Sequence, residues 1–304
     1  MLFRSCAHHH LIFPIPHELN ALWCWNRAPM AKLLFGAVRE TLMELLGDAR
    51  YLGAKPALLA ALHTWGRSLS LHPHLHVLAA DGGLDEHGAW VKPRRSHFLP
   101  ARVLMMLFRG KFLAALRRSI EHRALRLPPD LSRERFASLL NRLGRKKWNV
   151  HIRARYAHGQ GVAAYLARYL KGGPLKNSQL LPAAGERVRF RYRPHHDESD
   201  GADESVLLDL TPEAFLGRYL AHLPQPGAQI VRGYGLYGQR AGARLDRARA
   251  ALGQPPAIEP APLAVEDFLA RFDRTPAAAT CALCGARLRL VPLLAHGPAP
   301  PTLH

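Results

Sequence analysis

The chain has 304 residues, 48% of them hydrophobic, enough to bury a substantial core in one large domain or two smaller ones. Lys and Arg number 42 against 23 Asp and Glu, a formal charge of +19 that draws the chain toward phosphate backbones or anionic membranes. No apolar run reaches the ~18–20 residues of a membrane span, so the expected partner is nucleic acid and not a membrane.

Residues 9–15 (HHLIFPI) form a short apolar run closed by Pro16, the pattern of a strand. Over 31–46, apolar residues recur at Leu33, Leu34, Ala37, Leu42, Leu45 and Leu46, a helical spacing that Gly47 and Asp48 end. Residues 57–65 and 74–80 are strand candidates joined by a loop from Gly66 to Ser70. Asp81-Gly82-Gly83 is expected to turn the chain into a short returning strand at 88–91.

The second of these strands carries the most informative pattern, His74-Leu75-His76. Strand side chains alternate, so both imidazoles share one face while Leu75 and Val77 share the other. A lone buried histidine is an ordinary core residue. Two in contact on one face need a reason to coexist, and a metal ion is the better one. A third protein ligand is then required. If the intervening loop has an even number of residues, His63 falls opposite His74 or His76 on that face, which makes it the first choice. His72 shares the parity but precedes Pro73 at the strand entrance, and Asp81 and Gln160 are the oxygen-bearing fallbacks. Imidazole suits Mn, Zn or Ni by softness, whereas phosphate chemistry runs on Mg or Mn. The expected cofactor is therefore a divalent metal, Mg or Mn.

Residues 100–123 read as a long basic amphipathic helix with Val103, Leu104, Leu107, Phe108, Phe112 and Leu116 on its apolar side. Arg109, Lys111, Arg117, Arg118 and Arg123 occupy the rest, as a solvated face or as a flank that contacts DNA phosphates. Residues 147–157 alternate like a strand. Gly159-Gln160-Gly161 then opens a helix that Lys171-Gly172-Gly173-Pro174 breaks. Within it stand Tyr165 and Tyr169, two phenols one turn apart along the edge of a stripe formed by Val162, Leu166 and Leu170. Core packing is the ordinary role of such a pair; the histidine strand, the glycines and the basic neighbours favour nucleophiles. A phenol pKa of about 10 must be lowered for attack at neutral pH. Arg168, Lys171 or the metal can do this, and Arg168 and Lys171 are further candidate DNA contacts.

Residues 187–193 and 205–210 alternate like two more strands. Thr211-Pro212 then has the capping residue and first-turn proline of a helix reaching 223. A proline-rich linker spans 253–263, and the tail from 297 is expected to be disordered. Cys281 and Cys284 form half of a zinc ribbon. His296, His304 or a partner chain would have to complete it, so an incidental pair is the favoured reading. The four cysteines make no disulfide framework, and MLFRSCAHHHLIF lacks the apolar stretch of a signal peptide, which points to a reducing bacterial cytoplasm.

The H-hydrophobic-H strand followed by Y-x-x-x-Y resembles the HUH single-strand endonucleases. The nearest likeness is to the two-tyrosine transposases of rolling-circle insertion sequences, of the IS ninety-one type. It runs through LIFPIPHELN, LHTWGRSLSLHPHLHVLAADGG, LFRGKFLAALRR, YLARYL, RVRFRYR and LTPEAFLGRYLAHL, roughly residues 11–240. The resemblance implies an α+β fold, an antiparallel sheet of the HUH-nuclease type flanked by helices, on which the histidine strand faces the tyrosine helix. Three parts are expected: a nuclease core over 1–182, a β-hairpin and helical extension over 183–252, and a linker with the cysteine pair and flexible tail over 253–304. The implied activity is a metal-dependent nick in single-stranded DNA at transposon ends by a nucleoid-associated protein, leaving a 5′-phosphotyrosine. A third histidine on the neighbouring strand is also implied, in agreement with His63. A plasmid relaxase or replication initiator would use the same chemistry, and an inactive copy would only bind DNA. Oligomeric state is left open. The sequence departs from the family pattern at Pro14, where a hydroxyl residue is expected, and at Gly233, where histidine is common. Only Cys6 stands where the family carries a cysteine-rich zinc module, the pattern of a copy truncated at its N terminus.

Overall fold

The computed structural model describes residues 6–93, 98–153, 155–156, 173–182, 185–193 and 205–256. The chain divides into two compact units, Met1–Ala257 and Ile258–His304, and the described residues all belong to the first.

The centre of the molecule is an antiparallel sheet. Its strands are β1 (His8–Pro14), β2 (Lys55–Trp65), β3 (Leu71–Leu84), β4 (Trp90–Val91) and β5 (His151–Ile152), with β8 (Val231–Gly235) on the outside. The order is β5-β1-β3-β2-β8, with β4 paired to the far end of β3. A separate two-stranded sheet joins β6 (Val188–Tyr192) to β7 (Val206–Leu210). Among the described residues six α-helices accompany the strands: α1 (Asn20–Trp25), α2 (Arg27–Gly47), α3 (Ala101–Glu121), α4 (Arg133–Arg145), α5 (Pro212–Leu220) and α6 (Ala243–Ala251). The architecture is α+β, as the sequence leads one to expect.

Strand alternation divides the sheet into two unlike faces. Leu11 pairs with Val77 and Phe13 with Leu75, and these residues join Leu58 and Ala60 beneath α2, α3 and α4. Phe108 meets Phe13 edge-on with ring centres 5.2 Å apart, and Trp148 closes on Phe108 at 5.6 Å. Burying each such side chain is worth roughly 1.5–3 kcal/mol, so this face anchors the fold. The other face carries His10, His74, His76 and Leu78, because His10 lies opposite Leu78 and Pro14 opposite His74. One end of that face is covered by Leu236 and Tyr237, which follow β8, and by Ala248 from α6, over Ala57 and Ala80.

Two expected features differ. Asp81-Gly82-Gly83 does not turn the chain; β3 runs on to Leu84. The glycines serve close packing instead, since a Cβ on Gly82 would strike the Trp90 indole and one on Gly83 the Lys55 carbonyl. The turn comes later, where the Asp85 carboxylate accepts from the backbone N–H groups of His87 and Ala89. Among the described residues of 147–157, His151 and Ile152 alone form a strand, and the pairing with β1 resumes at the Tyr156–His8 bridge. Helix α4 is an element beyond those expected, and its signal is legible. Ser132 caps its N terminus, and Phe136, Leu139, Leu140 and Leu143 make a buried helical stripe.

Candidate metal centre

His63 sits directly opposite His74 in the β2–β3 pairing, and His76 follows two residues along on the same face. One ring nitrogen from each of the three lies within 4.8 Å of the others, and all three side chains are buried. The residue that the sequence offers as third ligand therefore stands beside the other two. Its position depends on an irregularity. Trp65 pairs with Leu71 around a five-residue loop, an odd number, and continued regular pairing would set His63 opposite Pro73. A bulge between those two pairs adds one residue to β3 and brings His74 across from His63.

The hydrogen bonds order the rings. His74 Nδ1–H donates to the His72 carbonyl at 2.6 Å, which leaves His74 Nε2 with its lone pair. It accepts from His76 Nε2 at 3.0 Å, and His76 Nδ1 in turn meets His10 Nε2 at 2.8 Å. Moving each shared proton one place back along this chain frees His76 Nε2 for a metal, with His76 Nδ1–H donating to His10. His10 thus has the place of the outer partner that orients a ligating imidazole. The sequence puts residue 10 on a strand without singling it out; its parity with Ile12, which pairs with His76, is the available signal.

Burial keeps the His74 and His76 rings neutral. It lowers the His74 pKa to about 3, with His72, His63 and His10 adding repulsion against the partly offsetting bond to the His72 carbonyl. Burial drives His76 further down, reinforced by His74, His63, His10 and Arg153. Neutral imidazole is the ligand form, so His74 and His76, with a His63 nitrogen within 4.8 Å, offer a donor set that fits a divalent cation.

Burial also lowers His8 and His10 to about 4 each, His8 against the Tyr237 hydroxyl at 2.6 Å. Folded values below the unfolded one mean that the unfolded chain binds protons the folded chain excludes. Stability from this source is full above the unfolded pKa of about 6.5 and is lost as pH falls toward the folded values, at ~1.4 kcal/mol per unit per ring. Urea melts of the metal-free chain are expected to show at least ~2 kcal/mol less stability at pH 5 than at pH 7.5. Equal stabilities would mean that these rings accept protons without unfolding.

A cleft of about 830 Å³ opens over the triad. Arg67, Arg153, Lys176 and Arg191 line it, together with the rings of Trp65 and Tyr192. Trp65 also stacks on His63, with ring centres 4.4 Å apart and planes 16° from parallel. None of these wall residues is among those singled out from the sequence, since the strands that bring them together are far apart in the chain.

The fallback ligands are employed elsewhere or not described. Asp81 accepts from His9 at 2.9 Å and from Arg155 at 2.7 Å, and the exposed His72 contributes its carbonyl rather than its ring. Arg109 donates to the Lys146 carbonyl, Lys111 pairs with Glu44, and Arg117 donates to the Asn141 side chain. These three and the exposed Arg118 belong to α3, the helix on the sheet face opposite the triad, so the structure does not bring them to the cleft. Tyr165, Tyr169, Arg168, Lys171 and Gln160 lie outside the described residues, as do Cys281, Cys284, His296 and His304. At Gly233 the departure from the family pattern has a steric reason. A Cβ there would overlap the Tyr237 carbonyl, so this backbone has no room for histidine.

If His63 is a ligand, His63→Ala should weaken Mn²⁺ binding in calorimetry by ~10–100-fold or more, the lower end being what loss of an outer partner alone costs. Excess Mn²⁺ should then partly restore activity. Unchanged Mn²⁺ affinity would remove His63 from the set.

Residues 58–244 match a family model, Y2_Tnp, described as "Putative transposase". The "Putative transposase y4qJ" of Sinorhizobium fredii (strain NBRC 101917 / NGR234) is 33% identical over 236 residues, covering 76% of this chain. The transposase for insertion sequence element IS801 of Pseudomonas savastanoi pv. phaseolicola is 30% identical over 300 residues, covering 93% of this chain. The chain spans 58% and 67% of the length of these two relatives. Among solved structures, a conjugative relaxase TrwC in complex with oriT DNA is similar in its metal-bound form, with 14% identity and a TM-score of 0.31 over 81% of this chain and 73% of that one. Its metal-free form gives 14% and 0.31 over 80% and 71%. Among the described residues, no helix is long and apolar enough to cross a membrane.

Proposed function

The chain belongs to the Y2_Tnp family of transposases, and we propose that its histidine cleft is the catalytic site of a single-strand DNA nickase that moves a DNA element by rolling-circle strand transfer. One observation carries this reading: three buried imidazoles converge beneath a cleft walled by cations and flat rings. His63, His74 and His76 would hold a divalent ion, Mg or Mn, and His10 would fix the orientation of His76. When bound, the ion supplies positive charge that polarises the phosphate oxygens. Arg67, Arg153, Lys176 and Arg191 attract and align the backbone, while Trp65 and Tyr192 offer faces to unpaired bases, the combination that suits a single strand.

We assign the nucleophile to Tyr165 and Tyr169, on their one-turn spacing and on the family resemblance. In the step, a phenolic oxygen bonds to phosphorus and the bond from phosphorus to the 3′-oxygen breaks. The phenol gives up one proton and the 3′-oxygen takes one up, so the products are a 5′-phosphotyrosine and a free 3′-hydroxyl. The ester conserves the energy of the broken bond. A second tyrosine then allows a second transfer without ATP. The substrate would be single-stranded DNA at the element ends, met in the bacterial cytoplasm on the nucleoid.

The direct test incubates the full chain with Mn²⁺ and a 3′-labelled single strand from an element end. A nick, with the label on a denaturation-resistant protein adduct, is the expected result. Tight binding without any nick would make the chain a DNA-binding protein only.

A further inference from the structure

We propose a second nucleic-acid site, away from the histidine cleft: the groove between α2 and the outer strand β8 takes the phosphate backbone of double-stranded DNA. The groove holds about 1000 Å³. Six basic side chains line it, Arg39, Lys55, Lys111, Arg232, Arg240 and Arg244, against two carboxylates, Glu40 and Glu44. Both carboxylates are already matched, Glu40 by Arg39 at 3.4 Å and Glu44 by Lys111 at 2.8 Å. Arg232 lies over the Phe35 ring, 4.4 Å from its centre. Among the described residues, none of Lys55, Arg240 and Arg244 has an ion-pair partner. Cations gathered in one groove repel each other until an anion enters, and a +19 chain has no general surplus of acid to supply it.

The kind of nucleic acid follows from what the groove lacks. Single-strand channels combine cations with stacking rings, as the histidine cleft does. Among the described residues, Tyr234 is the one ring lining this groove, and it is half-buried, with burial raising the pKa of its phenol. Cations without open rings contact phosphates and leave the bases paired. The walls are also preset. Gly235 adopts φ +62°, and a Cβ there would overlap the Pro56 carbonyl, so the turn leading to Arg240 and Arg244 has a fixed path. Helix α2 covers the sheet face opposite the triad, so groove and cleft can be filled together. A duplex flank or stem held in the groove would fix the register of the strand in the cleft. The proposal rests on the reading that this chain handles DNA.

The test uses the full chain, a 20-base-pair blunt duplex and a 15-nucleotide single strand, each fluorescent and titrated by anisotropy over a salt series. The triple change Lys55→Glu, Arg240→Glu and Arg244→Glu is expected to lower duplex affinity by ~10–100-fold at ~0.15 M salt. The slope of log affinity against log salt should become shallower by about 2–3, near 0.9 for each phosphate no longer neutralised. Single-strand affinity, and nicking of a short single strand, should stay within about twofold. The milder Arg240→Gln with Arg244→Gln, which adds no charge, should remove about 2 from the slope and covers the case in which the triple variant misfolds. Unchanged duplex affinity overturns the proposal. So does an equal loss for both probes, or the same loss in a control with Arg102→Glu, Arg133→Glu and Arg142→Glu on exposed helix positions. Absence of nicking in the wild type would count against the nuclease reading alone, because the duplex comparison does not depend on cleavage.

Discussion

Replacing His74 or His76 by alanine is expected to leave a folded protein that binds DNA and no longer cuts it. Each change removes one of three imidazole nitrogens that lie within 4.8 Å of one another, and two nitrogens hold a divalent ion poorly. With the ion goes the positive charge on the phosphate oxygens, worth several kcal/mol in the transition state; ~4 kcal/mol is about a thousandfold in rate. DNA affinity is expected to come from elsewhere. Arg67, Arg153, Lys176 and Arg191 are exposed cleft residues that both variants keep, and phosphate contacts of this kind supply most nonspecific binding. The measurement pairs a single-turnover nicking assay with anisotropy and Mn²⁺ calorimetry on the same samples. Cleavage should fall about a thousandfold, Mn²⁺ binding should weaken, and DNA affinity should stay within about threefold. A folded variant that loses binding and cleavage in equal measure would mean that these histidines shape the cleft rather than hold an ion.

The double change Tyr165→Phe with Tyr169→Phe should abolish the covalent adduct entirely. Phenylalanine keeps the ring and its packing but has no oxygen to join to phosphorus, so any loss reports chemistry rather than collapse. Each single change is expected to keep one cleavage step, because positions four apart on a helix present their side chains to the same neighbourhood. Mass spectrometry of the peptide bound to the labelled strand identifies the residue. Cleavage that persists in the double variant, or an adduct mapped to another residue, would return both tyrosines to ordinary packing roles.

Much of the site was legible because its signals are local. Alternation over five residues puts His74 and His76 on one face, as the structure has them, whereas Tyr165 and Tyr169 lie outside the described residues. Thr211-Pro212 marks a helix start, and the structure has the Thr211 hydroxyl accepting from Ala214 N–H there. Such patterns are written within about ten residues and need no knowledge of the rest of the chain. Glycine is less transparent. Asp81-Gly82-Gly83 looks like a turn, yet the missing side chains make room for Trp90 and Lys55, and only those neighbours reveal the difference.

What tertiary structure alone decided is register and neighbourhood. The choice of His63 was conditional on loop parity, and the loop has the wrong parity; a single bulged residue in β3 restores the pairing. His10 comes to stand behind His76 because β1 adds to the free edge of β3, a pairing that spans more than sixty residues. Strand β8, from the far end of the described chain, completes the other edge and builds the basic groove with α2. These placements are set by the packing of distant segments against one core, where a one-residue slip would turn every histidine from the cleft to the helices. Local composition fixes which residues can hold an ion or a phosphate, and the shared burial of those segments fixes which of them meet.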